Sequence, residues 1–178
     1  MAIFVLTLCT VETLERVKNI YFGTAYEPLQ VLEIGDISGD GIPDIAELGR
    51  NAATGSVRIQ TKSTVSGATI FNAYTGAGDW PIAIAVAKDR NADSIDEIAL
   101  LTQKPNGIAR VNIRDGATGL FIGNILMGAI TQPLGMVSID DLNASGDPEI
   151  AVLGEDINIV QIQIKDVVSG AQVGNVVY

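Results

Sequence analysis

The sequence predicts an all-β protein, a β-propeller-type repeat of four-stranded antiparallel blades that forms a partial or open propeller of about three and a half blades. Similar segments begin at Pro28, Pro81 and Pro133, which lie 53 and then 52 residues apart. Each segment contains four apolar runs of strand length, and none shows the 3.6-residue periodicity of an amphipathic helix. Repeats of this length with four short strands are typical of propeller blades.

The four runs of each segment are predicted to be its strands, in order. The first follows the proline, as in Val31–Ile34, and the second follows an acidic loop, as in Ile98–Leu101. Second strands that are apolar on both faces are expected between neighbouring sheets. The third strands alternate apolar and polar residues, and we align them as Val57–Gln60, Val111–Arg114 and Ile162–Lys165. The fourth strands are expected to be shorter and to lie at an outer edge, around Ile70, Phe121 and Val173.

Turn residues separate these strands at matching places. A glycine closes the turn between the third and fourth strands of each segment, where a positive φ is expected, at Gly67, Gly119 and Gly170. Asn106 and Gly107 predict a tight hairpin between the second and third strands of the second segment.

The repeat register divides the chain into one repeat domain, residues 1–178, with a half blade at its start. Residues 1–26 are the half blade, in which Phe4–Leu8 matches a third strand and Val17–Tyr21 a fourth strand. The blades are expected at residues 27–79, 80–131 and 132–178. The opening MAIFVLTLC lacks a basic segment and a cleavage site, so it is interpreted as a strand and not as a signal peptide.

Composition narrows the classes of function. The net charge of −10 predicts no binding to nucleic acid and no membrane insertion, and it favours cations as small partners. The absence of histidine excludes Ser-His-Asp and Cys-His catalytic groups and histidine-based zinc sites. Because Cys9 is the only cysteine, an intrachain disulfide is excluded.

An acidic loop between the first and second strands is the candidate metal site of each segment. Calcium takes six to eight oxygen ligands, which a tight loop can supply from alternate side chains, with glycine at position 6 for the sharp turn. The first loop places oxygen-bearing side chains at positions 1, 3, 5 and 9, and the other two repeat this spacing. The candidate ligands are Asp36, Ser38, Asp40 and Asp44 in the first loop, Asp89, Asn91, Asp93 and Glu97 in the second, and Asp141, Asn143, Ser145 and Glu149 in the third.

These strands and loops resemble FG-GAP/VCBS-type repeats, the blades of integrin α-subunit heads and of many secreted bacterial proteins. The resemblance covers the chain from about Phe4 to its end. It implies calcium binding through a D-x-D-x-D-G-x-x-D loop, which the first loop matches with Ser38 in place of the middle acid. It also implies an extracellular or cell-surface location.

The three loops are expected to differ in calcium affinity because their charges differ. The second loop keeps three carboxylates but has Ser94 where glycine is expected, and the third keeps only two carboxylates at ligand positions. Calcium is therefore expected first in the first loop, then in the second, and least in the third. Metal-free turns, in which the same side chains bind backbone amides, are the alternative.

The function predicted from these features is a non-enzymatic, calcium-stabilised scaffold for extracellular adhesion, recognition or surface assembly. Its partners would be proteins or further copies, joined through exposed blade edges. The alternative is a carbohydrate-binding propeller, or an accessory domain of a secreted polysaccharide-degrading enzyme, with a glycan as partner. Trp80 and Tyr74 are expected to pack between blades, and Trp80 has no aromatic counterpart in the other segments.

Overall fold

The computed structural model describes residues 19–128 and 130–178, which form twelve β-strands. The first four strands are β1 (Glu27–Ile34), β2 (Asp44–Arg50), β3 (Val57–Lys62) and β4 (Thr69–Thr75). The next four are β5 (Trp80–Ala87), β6 (Glu97–Gln103), β7 (Ala109–Arg114) and β8 (Phe121–Met127). The last four are β9 (Gln132–Ile139), β10 (Glu149–Asp156), β11 (Ile159–Asp166) and β12 (Gln172–Val177).

These strands form three separate four-stranded sheets in which each strand pairs antiparallel with the next along the chain. Helices are absent from the described part of the chain, so the predicted all-β fold and its four-stranded sheets are confirmed. The same residues accordingly contain no helix of the length and apolarity needed to cross a membrane.

The structure corrects two details of the predicted strands. In the first sheet Leu48 pairs with Ile59, and the equivalent Leu101 pairs with Val111, so Ile59 and not Val57 matches Val111. This shift of two residues keeps the same side chains on the same face, because side chains alternate along a strand. The fourth strands are shorter than the third only in the third sheet, where β12 has six residues and β11 has eight. In the first two sheets the fourth strand has seven residues and the third has six.

The predicted half blade falls mainly outside the described residues. Phe4–Leu8 and the first two residues of Val17–Tyr21 lie there, and the described residues 19–21 are not in a strand. The other turn predictions hold. Gly67, Gly119 and Gly170 have φ between 70° and 75°, and Gly107 closes its hairpin by donating its amide hydrogen to the Lys104 carbonyl at 2.8 Å.

Neighbouring sheets pack face to face. We call the face that carries Leu48, Leu101 or Leu153 the forward face of its sheet, and the opposite face the rear face. Leu48 and Ile59 on the forward face of the first sheet share a buried cluster with Leu100 on the rear face of the second. Leu101 shares an equivalent cluster with Val152 of the third sheet. The first strands also contact one another in order, β1 with β5 and β5 with β9. The same packing arrangement is therefore used twice.

Candidate metal centre

The three acidic loops join the first two strands of each sheet. They include residues 35–43, 88–96 and 140–148, and position 9 is the first residue of the strand that follows each loop. The second and third loops meet, because Lys88 forms an ion pair of 3.1 Å with Asp147 and donates a hydrogen bond to the Gly146 carbonyl. The repeat therefore brings at least these two loops to one edge of the stacked sheets.

In the first loop, the Asp36 carboxylate holds the backbone turn together. Its Oδ1 accepts amide hydrogen bonds from Gly39 at 2.7 Å and Asp40 at 3.1 Å. Its Oδ2 accepts a third, from Gly41 at 2.6 Å. A carboxylate can accept several such bonds at once, and each satisfies an amide that the turn leaves without a strand partner.

The second and third loops repeat this arrangement. Asp89 accepts amide hydrogen bonds from Ala92 at 2.7 Å and from Ser94 at 2.8 Å. Asp141 accepts them from Ser145 at 3.2 Å and from Gly146 at 2.8 Å. The position-1 carboxylate thus has the same structural role in all three loops, as the metal-free alternative requires.

The second loop keeps this shape without the glycine at position 6. Gly41 and Gly146 have φ of 88° and 92° at that position, and Ser94 has φ of 71°. Ala92, two residues earlier, also has a positive φ of 64°. A residue with a side chain is strained in this left-handed region. The second loop therefore has strained residues at positions 4 and 6, where the first loop has Gly39 and Gly41 in the same conformation.

The position-9 carboxylates are buried at the start of the second strands. Asp44, Glu97 and Glu149 are fully buried. Asp44 Oδ2 accepts the amides of Ile37 at 2.9 Å and Ser38 at 2.7 Å. The longer glutamates keep one such bond, for example from Arg90 to Glu97 at 3.0 Å.

The second oxygen of each glutamate has a different environment. Glu97 Oε2 reaches past the loop and accepts the amide of Gly116 at 2.9 Å. Glu149 Oε1 is buried and has no hydrogen-bond partner. The two glutamates therefore differ from Asp44 in their hydrogen-bond partners, although all three residues occupy the same position in the repeat.

The structure adds one group of residues that the sequence did not assign to the site: the first residue of each turn between the third and fourth strands. Ser63 Oγ donates a hydrogen bond to Asp40 at 3.1 Å. In the second sheet Asn91 donates one to Asp115 at 2.6 Å, and in the third Ser145 donates one to Asp166 at 3.1 Å. The recurring Ser or Asp before each turn glycine was visible in the sequence, but it predicted only bonding within the turn.

Hydrogen bonding shifts the acidity of the position-1 carboxyls. The Gly41 amide does most to hold the pKa of Asp36 below its usual range, and the Gly146 amide does the same for the pKa of Asp141. Desolvation works to raise the pKa of Asp89, but its amide hydrogen bonds, led by Ser94, outweigh that effect and lower it. All three groups are thereby held ionised, the state that a cation site needs.

The pKa of Glu97 is shifted in the opposite direction. Burial raises it above its usual value, against the hydrogen bonds from Arg90 and Gly116, and the nearby charges of Asp115 and Asp93 add to the rise. Desolvation penalises a charged carboxyl more than its neutral form. The second loop therefore has a less favourable anion at position 9, which weakens it as a cation site.

The first loop has the arrangement that fits a metal ion best. One carboxylate oxygen from each of Asp36, Asp40 and Asp44 lies within 4.8 Å of the others. Calcium–oxygen distances are about 2.4 Å, so ligands on opposite sides of one ion are about 5 Å apart. These oxygens can therefore share an ion, and Ser38 Oγ lies beside them, 3.2 Å from Asp44 Oδ1. Among residues 19–128 and 130–178, no such cluster of three carboxylates is found in the second or third loop.

Trp80 and Tyr74 are less buried than expected. Their exposed fractions are 54% and 53%. The guanidinium of Arg50, from the first sheet, lies 4.1 Å from the centroid of the Trp80 ring. Trp80 therefore does contact the neighbouring sheet. Trp80 also lines an open groove of about 310 Å³ beside Gln103 and Lys104.

Comparisons of the chain with protein-family models, with curated proteins and with solved structures give no match.

Proposed function

We propose that this chain is a non-enzymatic scaffold built from propeller-type blades of the FG-GAP/VCBS kind, with calcium bound in its first loop. The observation that carries the proposal is the combination of a repeated sheet-to-sheet contact with a loop that gathers Asp36, Asp40 and Asp44 within 4.8 Å. A stack of sheets with loops at their ends offers broad surfaces for protein partners. Extracellular adhesion, recognition or surface assembly is the setting that we infer for it.

Calcium would act in this scaffold as a structural ion. Its charge offsets the repulsion among the three carboxylates of the first loop, each of which also accepts a backbone amide hydrogen bond. Asp44 begins β2, and Asp40 accepts a hydrogen bond from Ser63 in the turn after β3. An ion bound to both would therefore connect the loop to two parts of the first sheet.

Calcium titration followed by calorimetry and thermal unfolding tests this proposal. We expect about one ion per chain and, at a calcium concentration 100 times the dissociation constant, about 2.7 kcal/mol of added stability. For a chain of this size that is a rise in melting temperature of about 5–10 °C. Magnesium is the specificity control, because it requires a smaller octahedral shell.

Two matched variants locate the ion. Asp40→Asn keeps the size of the side chain but removes a charge from the first loop. The apparent calcium affinity, measured from the rise in melting temperature, should therefore fall at least tenfold. Asp140→Asn removes the same charge from an exposed aspartate that is not a candidate ligand, and it should behave as wild type. Equal calcium responses from all three proteins, or no heat and no shift in wild type, would retire the calcium proposal.

A carbohydrate-binding role is a second candidate, favoured by the exposed ring of Trp80 in its groove. Aromatic rings and neighbouring polar groups suit a sugar, which has an apolar face and a rim of hydroxyls. Because Trp80 is the only tryptophan of the chain, its fluorescence reports directly on the groove. Titration with a panel of oligosaccharides should change that fluorescence, and Trp80→Ala should abolish binding measured by calorimetry. An unchanged spectrum across the panel counts against this role.

A further inference from the structure

We propose that the forward face of the third sheet is an interaction surface, and that a second copy of this chain docks on it with the same face to form a two-fold symmetric dimer. The inference rests on the proposed scaffold role and names its partner and contact surface. It does not depend on calcium, which would bind in the loops and not on this face.

Equivalent positions in the three sheets show that this face is left uncovered. Leu48 and Leu101 are fully buried beneath the next sheet, whereas Leu153 at the same position of the third sheet is 38% exposed. The contrast recurs at Val160 and Val176, which are 36% and 43% exposed. Their equivalents in the first two sheets are all buried: Val57, Ala73, Ala109 and Ile125. The third sheet thus presents the kind of face that the other two bury against a sheet.

The uncovered face is apolar and slightly concave. It contains a shallow groove of about 250 Å³ lined by residues without charge, namely Gly135, Met136, Val137, Ala151, Leu153 and Ile162. Val137 at its side is 55% exposed. Contiguous apolar surface of this kind on a folded protein marks a contact site, because burying it removes apolar area from water.

The rear face of the first sheet does not match this surface, which argues against a head-to-tail contact between copies. It carries Glu47 where the second and third sheets have Leu100 and Val152. The Glu47 carboxylate is buried in an ion pair of 2.9 Å with Arg58, and the Arg58 guanidinium lies 4.2 Å from the Tyr26 ring centroid. Glu47 and Arg58 are only 4% and 8% exposed, so this position is already covered and offers no apolar surface to a docking sheet.

Among the faces of the described sheets, the forward face of another third sheet is therefore the best apolar match. Two sheets that pack face to face interdigitate their apolar side chains about 10 Å apart, as in a β-sandwich. A contact of identical surfaces is closed at two copies and does not extend into a filament.

The expected dimer is weak. A face of four strands about 4.8 Å apart and about six residues long covers roughly 400 Å², which is about half of the usual area per partner in a stable interface. The net charge of −10 per chain also opposes association. Screening by salt should therefore strengthen the dimer, the opposite of the effect on a contact made of ion pairs.

Sedimentation equilibrium of the whole chain, from about 1 to 500 µM, tests the proposal in low and high salt. The mass should rise from 18.7 kDa towards twice that value as the concentration increases. Leu153→Lys and Val176→Lys each place an ammonium group on the face and should weaken association at least tenfold. Val31→Lys adds the same charge at a 63% exposed valine of β1, on the rear face of the first sheet, and should leave association unchanged.

Each outcome decides the proposal. A wild-type protein that stays monomeric over the whole range overturns it, and so does a dimer that persists in both lysine variants of the third sheet. Loss of the dimer in Val31→Lys as well overturns the two-fold arrangement and indicates a head-to-tail contact. Melting curves at about 1 µM confirm that each variant is folded. Measurements in chelator and in calcium separate the two proposals. If the calcium proposal fails, calcium leaves the melting temperature unchanged, and if the dimer proposal fails, the mass stays at 18.7 kDa at every concentration.

Discussion

Truncating one leucine at equivalent positions of the three sheets tests the repeated packing directly. In Leu101→Ala, three carbons are removed from a fully buried side chain between the second and third sheets. The lost transfer free energy is about 2.4 kcal/mol at 0.8 kcal/mol per carbon, and the cavity left behind adds about 1 kcal/mol. The expected loss in the free energy of unfolding is therefore about 3.5 kcal/mol, and Leu48→Ala should cost a similar amount.

Leu153→Ala removes the same atoms from the uncovered face of the third sheet. Because Leu153 is 38% exposed, about 60% of the transfer free energy remains to be lost, and an open surface leaves no closed cavity. The expected loss is about 1.5 kcal/mol, or about 2 kcal/mol less than at Leu101. Urea unfolding followed by circular dichroism at about 1 µM measures all three variants where the dimer contributes little. Equal losses at Leu101 and Leu153 would refute the assignment of covered and uncovered faces.

Three further predictions concern the loops and turns. Ser94→Gly should raise the free energy of unfolding by about 0.5–1 kcal/mol, measured in urea, because it relieves the strain of a positive φ, and a decrease would contradict the loop geometry. Gly119→Ala should lower the melting temperature more than Gly170→Ala, although both glycines have φ near 70°. A Cβ at Gly119 would lie 2.5 Å from Phe71, whereas the nearest atom to a Cβ at Gly170 is 3.9 Å away. Thermal melts that rank the two variants in the reverse order would refute this reasoning. Stability should fall as the pH drops below about 4, because the position-1 carboxyls have lowered pKa values in the folded state and lose their contribution as they are protonated. The raised pKa of Glu97 works in the opposite direction, since its ionisation costs stability as the pH rises above its ordinary 4.5, so a urea midpoint that rises on acidification would show that Glu97 dominates.

The sequence predicted the sheets well because both of their signals are local. Strand-length apolar runs and the turn glycines fix where each strand starts and ends, and the repeat supplies three samples of each signal. The alignment of the third strands was the exception. Val57 and Val111 lie at similar distances from their prolines, but the loop before β3 is one residue longer than the loop before β7, and only the pairing of Leu48 with Ile59 reveals the true match.

The candidate site was predicted less completely because its geometry depends on contacts between distant parts of the chain. The loop positions of Asp36, Asp40 and Asp44 followed from spacing alone. The bond from Ser63 to Asp40 joins residues 23 positions apart, and no local pattern indicates it. The second oxygens of the glutamates likewise depend on the turn after the third strand. The Gly116 amide donates to Glu97, whereas the Val167 amide donates to the Pro148 carbonyl and Glu149 Oε1 has no partner.

The loop hydrogen bonds bear on what calcium contributes to this protein. All three loops adopt one backbone shape, and the same position-1 carboxylate holds it through amides in loops with three carboxylates and in a loop with two. The shape is therefore maintained by side-chain-to-backbone bonds that do not require an ion. An ion in the first loop would add its binding free energy to a turn that is already formed, and little of that energy would be spent on ordering the backbone. Calcium is thus expected to tighten the first sheet, while the fold itself follows from the packing of forward faces on rear faces.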